Sequence, residues 1–236
     1  ALCEATGADV REVARAIGSD KRIGSKFLDS GPGFGGSCFK KDILNLVYLS
    51  SYFGLSEVAN YWESVVELNY WHQNRISKLI VKKLFGTITS KKICILGFAF
   101  KANTNDTRES SAIKICNDLL DEGAILCIHD PKVNASQIEK DLGKNATNTS
   151  YLREHNDELE GNWSFCCSIY DAADGADALV VLTEWEEYST IDWEIISKQM
   201  RKPAWIFDSR SILVKENINK TDLNFWRIGD GENNSI

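Results

Sequence analysis

Short apolar runs alternating with helical segments after residue 90 constrain this chain more than any other feature. KKICILGF (91–98), AILCIHDP (124–131), ALVVLT (178–183) and PAWIFDSR (203–210) are brief and almost uniformly apolar. They read as strands buried on both faces. SFCCS (164–168) followed by DAADGA (171–176) adds a strand and a short helix. SAIKICNDLLDEG (111–123) and WEIISKQM (193–200) carry helical spacing, the first with a glycine stop. Strands that alternate with helices pack as a parallel sheet covered on both faces. The strand at 203–210 is read as the last.

The first third has a different grammar. Residues 1–18 read as one amphipathic helix, with Val10, Val13, Ala14 and Ile17 on a face and Gly18 at its end. The opening ALCEATGADV has neither a methionine nor an N-cap residue, which points to more chain upstream. Residues 19–37 are a glycine-rich loop, and a helix resumes from Cys38 with Ile43, Leu44, Val47 and Tyr48. A long helix follows from Ser56 to Phe85, roughly 45 Å at 1.5 Å per residue. Its apolar stripe runs from Val58 through Trp62, Val66, Ile76 and Ile80 to Leu84, interrupted by Asn69 and Gln73. Such a helix suits a connector or a packed dimer. The expected domains are 1–88 and 89–236. Residues 143–162 read as a polar excursion from the second domain, and the tail from about 229 as frayed.

Composition excludes several functions. A net charge of -7 argues against a nucleic-acid binder, which needs a basic face. No run is long enough to span a membrane and no signal peptide opens the chain, so a cytoplasmic protein is expected. The seven cysteines are not in paired CxxC spacings, and three histidines are too few to suggest a structural zinc site. Cys94, Cys116 and Cys127 sit in apolar runs and read as reduced, buried thiols.

The stretch that carries chemistry is GPGFGGSCFKKDILNL (31–46). Gly33, Gly35 and Gly36 allow close backbone approach and positive φ. Cys38 falls at a helix start, where the dipole favours a thiolate, and Lys40 and Lys41 add positive potential. Asp42 lies four residues on, on the same helix face, where a carboxylate could position a water to hydrolyse a thioester. The bland alternative is a capping thiol and a surface charge.

GFGGSCFKKDILNLVYL resembles the signature of the UDP-glucose 6-dehydrogenases within the nucleotide-sugar dehydrogenase family. ALCEATGADV, ILGFAFK, TRESSAI, HDPK, VVLTEWEEY and FDSR are similar to that family in the same order. The resemblance implies an α/β fold: a helical central and dimerisation region with a long connecting helix, then a Rossmann-like parallel-sheet UDP-binding domain. It implies oxidation of UDP-glucose to UDP-glucuronate by two NAD, through a cysteine thiohemiacetal and thioester. Cys38 would be the nucleophile and Asp42 the acid/base partner. Asp29, Ser30, Gly31, Pro32, Gly33, Phe34 and Gly35 would cradle the UDP-sugar, with Phe100, Lys101 and Arg210 contacting it. Arg22 would reach the substrate from the other subunit of a homodimer or larger homo-oligomer. Arg108 and Cys38 would face the NAD, and no metal is implied. An aspartate at position 29 departs from the family by placing a negative charge beside the pyrophosphate path. The family's N-terminal GxGxxG domain, with its lysine, threonine and glutamate, has no counterpart here. Asp130 ends a strand as a ribose-binding acid would, but the turn after the first strand lacks the glycine spacing, so an NAD site in 91–236 is weakly supported. Alternatives are a non-catalytic nucleotide-sugar binding or dimerisation module, a related UDP-sugar or GDP-mannose dehydrogenase, and a thiol redox switch at Cys38.

Overall fold

The structure is a computed structural model, described here for residues 1–147 and 161–233. Most of the predicted 143–162 excursion lies outside the described residues.

The N-terminal helix is two helices, α1 (Leu2–Thr6) and α2 (Val10–Gly18). Gly7 takes a left-handed φ of 78°, which ends α1, and the Asp9 carboxylate accepts the Arg11 N–H to cap α2. The expected single helix gives way because both a stop and a cap fall inside it. Helix α3 (Phe39–Tyr52) and the long α4 (Ser56–Lys83) form a hairpin closed by Gly54, whose φ is 73°. Helix α4 reaches roughly 42 Å. Its second half buries Ile76 and Ile80, with Leu84 just beyond, in the same core as the sheet.

Six parallel strands follow, in the order β3-β2-β1-β4-β5-β6. They are β1 (Lys92–Leu96), β2 (Ile125–His129), β3 (Asn162–Phe165), β4 (Ala178–Val181), β5 (Trp205–Asp208) and β6 (Asn224–Arg227). Helices α5 (Ser111–Asp121), α6 (Ala135–Leu142), α7 (Ile169–Ala173), α8 (Trp193–Gln199) and α9 (Lys215–Ile218) make the crossovers. Strand β6 was not expected. Its four residues, NFWR, are too few to show a period. The order reverses between β1 and β4, and in a doubly wound sheet the crevice outside the carboxyl ends of the strands at that switch is where ligands bind.

The predicted frayed tail is instead pinned through Asn233. Val10 N–H donates to Gly229 O at 2.9 Å, and Gly231 N–H to Ala8 O at 3.0 Å. Glu4, buried, accepts Gly229 N–H at 2.8 Å and a two-pronged contact from Arg75 on α4. Burial alone would raise the Glu4 carboxyl's pKa, but the Arg75 and Gly229 donors outweigh it and hold the pKa below its ordinary value. The α1–α2 segment is therefore stapled to the loop after β6.

Candidate active site

The glycine loop is threaded between α4 and the loops that leave β1 and β5. Asn69, on α4, holds it by two hydrogen bonds to one residue: Phe34 N–H donates to Asn69 Oδ1 at 2.9 Å, and Asn69 Nδ2 donates to Phe34 O at 3.1 Å. One turn later His72 Nε2 lies 3.0 Å from Gly31 O. On the opposite side Gly36 N–H donates to Arg108 O at 2.8 Å. This seating explains the glycines. A Cβ on Gly35 would lie 2.4 Å from Glu109 O, and one on Gly33, whose φ is 133°, would lie 2.7 Å from Asn69 Oδ1.

The loop delivers the chain to Cys38, the N-cap of α3. Cys38 is exposed, with its Sγ 3.7 Å from Ser37 Oγ. Ile43 is the buried anchor of the helix that follows. Asp42 donates its backbone N–H to Cys38 O at 2.8 Å, and its side chain is exposed. Lys40 pairs with Glu109 at 2.8 Å, above the Tyr70 ring. Glu109, then Tyr70, raise its pKa.

Arg210, after β5, is the cation at the centre of the group. Its Nε donates to Leu182 O at 2.7 Å and its Nη2 to Phe100 O at 3.1 Å, while Nη1 pairs with Glu184 at 3.2 Å. Burial pulls its pKa down and Glu184 opposes the shift. Glu184 also accepts Ala102 N–H at 3.1 Å. One guanidinium thus ties the loops after β1, β4 and β5 together at the switch point.

Two clefts open beside Arg210. The larger, about 1060 Å³, is lined by Asp29, Gly31, Gly33, Phe34, Gly35, Phe100 and Arg210, with Asn69, Trp71 and His72 from α4. The smaller, about 520 Å³, is lined by Asp29, Ser30, Glu184, Arg210 and the arginines Arg11 and Arg15 of α2. The larger has the size of a small-molecule binding site.

Of the residues singled out in the sequence, the structure brings 29–31, 33–35, Phe100 and Arg210 onto these clefts. Pro32 is buried beneath the loop. Lys101 is exposed, its Nζ over the Phe100 ring. Cys38 at the far end of the glycine loop, Asp42 on α3 and Arg108 in the loop after β1 lie off the walls of these two clefts. Arg108 pairs with Asp106 at 2.7 Å, and its carbonyl accepts the N–H of Gly36, two residues before Cys38. Arg22 is exposed, paired with Asp20 at 2.6 Å, and is outside the cleft lining. Sequence reading missed Asn69, His72 and Glu184 as site residues. Asn69 had a signal, since it breaks the apolar stripe of α4.

Asp130 is not a ribose-binding acid. It is buried, and both oxygens are taken: Oδ2 accepts Phe98 N–H, Ala99 N–H and Trp185 Nε1–H at 2.7, 3.0 and 3.2 Å. Its Oδ1 accepts the N–H groups of Lys132 and Val133 at 2.8 and 2.9 Å. Its task is to shape the loop carrying Phe100. Among the described residues no cluster of three or more His, Cys, Asp or Glu is placed to hold a metal, and no helix is long and apolar enough to cross a membrane.

Comparison with known proteins matches residues 94–215 to the UDP-binding domain of the UDP-glucose/GDP-mannose dehydrogenase family, and residues 1–71 to its central domain. The chain is 48% identical over 229 residues to a UDP-glucose 6-dehydrogenase of Drosophila melanogaster, covering 97% of this chain and 47% of the relative. The Gallus gallus enzyme of the same name is 52% identical over 213 residues, covering 90% of this chain and 42% of its own length. A UDP-glucose dehydrogenase from Pyrobaculum islandicum superposes with a TM-score of 0.71 at 25% identity, over 95% of this chain and 45% of that one. The chain spans a little under half the length of the curated relatives it matches.

Proposed function

Because this chain belongs to the UDP-glucose/GDP-mannose dehydrogenase family, we propose that it is the part of a UDP-glucose 6-dehydrogenase that seats the nucleotide sugar and supplies the nucleophile. The observation that carries this reading is one loop with two ends. Its glycines line a nucleotide-sized cleft beside Arg210, and it finishes on an exposed cysteine at a helix start. The uridine diphosphate would lie against the backbone of 29–35, with its charge facing Arg210 and Lys101, and the sugar would extend toward Cys38.

The cysteine would add its sulfur to the aldehyde carbon of the half-oxidised sugar. Once that adduct is oxidised, Asp42 would hold the water that splits the thioester, taking the water's proton as the acid leaves. The oxidant of the family is NAD, but the sheet of this chain does not fit a dinucleotide. The acid at the end of β2 is saturated with N–H donors, and the turn after β1 is closed by Thr183 Oγ1 donating to Ala99 O at 2.6 Å. Arg108, exposed, paired with Asp106 and joined through its carbonyl to Gly36, would be the residue that meets a cofactor held outside this sheet.

Calorimetric titration tests the binding half of this reading. UDP-glucose is expected to bind this chain, GDP-mannose and NAD to bind far more weakly, and Arg210→Ala to weaken UDP-glucose binding by at least about a hundredfold, the scale of losing charge-assisted contacts. NAD binding in preference to UDP-glucose would overturn it.

A homo-oligomer belongs to the same reading. Among the described residues, all the exposed large apolar side chains except Ile195 and Val214 lie within residues 1–85, many of them on α3 and α4. Faces of that kind mark interfaces. Sedimentation velocity is expected to give a dimer or larger assembly, and a monomer at tens of micromolar would count against it.

A further inference from the structure

The hold of α4 on the glycine loop goes beyond the residues so far assigned to substrate. Asn69 and His72 are three residues apart, so they project from one face of the helix. Asn69 fixes both backbone groups of Phe34, and His72 meets the carbonyl of Gly31. Between them is Gly33, with a backbone that other residues rarely adopt, packed on Asn69 and Gln73. Gln73 is buried beneath it. On the other side of Gly31 lies the Arg210 guanidinium, 3.2 Å from where a Cβ would stand. A loop this rich in glycine has many conformations to lose. Three hydrogen bonds from two side chains select one of them.

We propose that Asn69 and His72 are positioning residues that clamp residues 31–34 into the shape a UDP-sugar meets. The proposal rests on the substrate reading above. The clamp acts through the backbone of the loop and needs neither side chain to contact the reacting atoms. Its histidine makes it sensitive to protons. His72 is half-buried with its Nε2–H donating to Gly31 O, a bond the charged ring would also make, so it is the cost of burying the charge, not the bond itself, that sets the response to acid. The charged groups around it are Arg75 on α4, Glu4 on α1, and Lys26, Asp29 and Arg210 around the cleft. Burial lowers the His72 pKa from its ordinary 6.5, Arg75 adds to this, and the Gly31 contact and Glu4 oppose it. A base with a depressed folded-state pKa contributes fully above the unfolded pKa and loses that contribution as pH falls below it. The clamp should therefore weaken on acidification from about pH 6.5 downward, a range in which a pyrophosphate diester does not change charge.

The test has two readouts, on the parent chain and on Asn69→Ala, His72→Leu and His72→Gln. The first is hydrogen-exchange protection of the Phe34 and Gly36 amides without ligand. Protection is expected to fall about threefold to tenfold in Asn69→Ala and His72→Leu, the loss of one or two hydrogen bonds. Glutamine places an amide nitrogen at the reach of Nε2, so His72→Gln should restore it. The second is UDP-glucose affinity between pH 5 and 8. It is expected to fall with acid in the parent chain and to be flat in His72→Gln. Unchanged protection in all three variants would overturn the clamp. Affinity that rises with acid and loses that rise in His72→Gln would overturn it too, by making His72 a cation that meets the ligand. Lowered protection in Asn69→Ala and His72→Leu, with a parent chain that binds no UDP-glucose, would uphold the clamp and count against the proposed function.

Discussion

If the proposed function holds, replacing Cys38 by serine is expected to lower turnover by at least about a thousandfold, in an assay that supplies a dinucleotide-binding domain of the family, while UDP-glucose binding stays nearly unchanged. The size of the effect follows from the chemistry. A serine hydroxyl at neutral pH is a far weaker nucleophile than a thiol, and residues that act as a unit in covalent catalysis lose most of the rate together. The separation of binding from rate follows from the fold. Cys38 is the N-cap of α3 and lies off the wall of the larger cleft, so a serine there leaves the UDP-facing surface intact. The measurement is the steady-state rate of NAD reduction beside a calorimetric binding curve. Asp42→Asn is the informative companion: it should slow release of the acid and let a sulfur-bound acyl adduct accumulate, visible as added mass on the intact chain. A serine variant within tenfold of the parent rate would remove Cys38 from the mechanism.

The second large effect concerns stability. Asp130→Ala is expected to cost at least about 4 kcal/mol, because five donors lose their acceptor inside the protein. Four are backbone N–H groups, and three of them, on Phe98, Ala99 and Val133, belong to buried residues. Asparagine is no rescue, since it turns one of the two oxygens into a donor facing other donors. Urea unfolding, compared at equal m-value, reads the change directly. A loss under about 1 kcal/mol would mean that the loops after β1 and β2 find other partners. The functional stake is local. Phe98 and Ala99 are the last fixed residues before Phe100 and Lys101, so binding should weaken even at temperatures where the variant is folded.

Much of the sheet could be read in advance because its strands are buried on both faces and therefore nearly pure in apolar residues. ICIL and ALVV leave little choice. Strand β6 could not be read, because NFWR is an edge strand of four residues whose Arg227 is buried by pairing with Asp230 at 2.9 Å rather than by being apolar. The break between α1 and α2 was written in Gly7 and Asp9, but one helical face continued across it and the periodicity outweighed the punctuation. At the site, the glycines were legible as a request for close approach. What they approach was not. Asn69 and His72 lie 35 and 41 residues from the loop atoms they hold, and Glu109 is brought to Gly35 by the loop after β1. Those contacts depend on how α4 crosses the sheet, which no local pattern encodes. Glu184 lay in plain sight in TEWEEY, but three acids in that stretch gave no reason to choose the one that meets Arg210.

The staple between α1–α2 and the loop after β6 also orders events in time. Glu4 and Gly229 are 225 residues apart, among the longest separations the chain could join. A ribosome adding about 5–20 residues per second needs tens of seconds at the slow limit to travel that far. Through that interval the Val10 N–H at the start of α2 has no Gly229 carbonyl to meet, and Glu4 lacks the Gly229 N–H. The smaller cleft draws Val10, Arg11, Ala14 and Arg15 from that same helix. One wall of the cleft is thus translated among the first residues of this stretch and set in place only by the last.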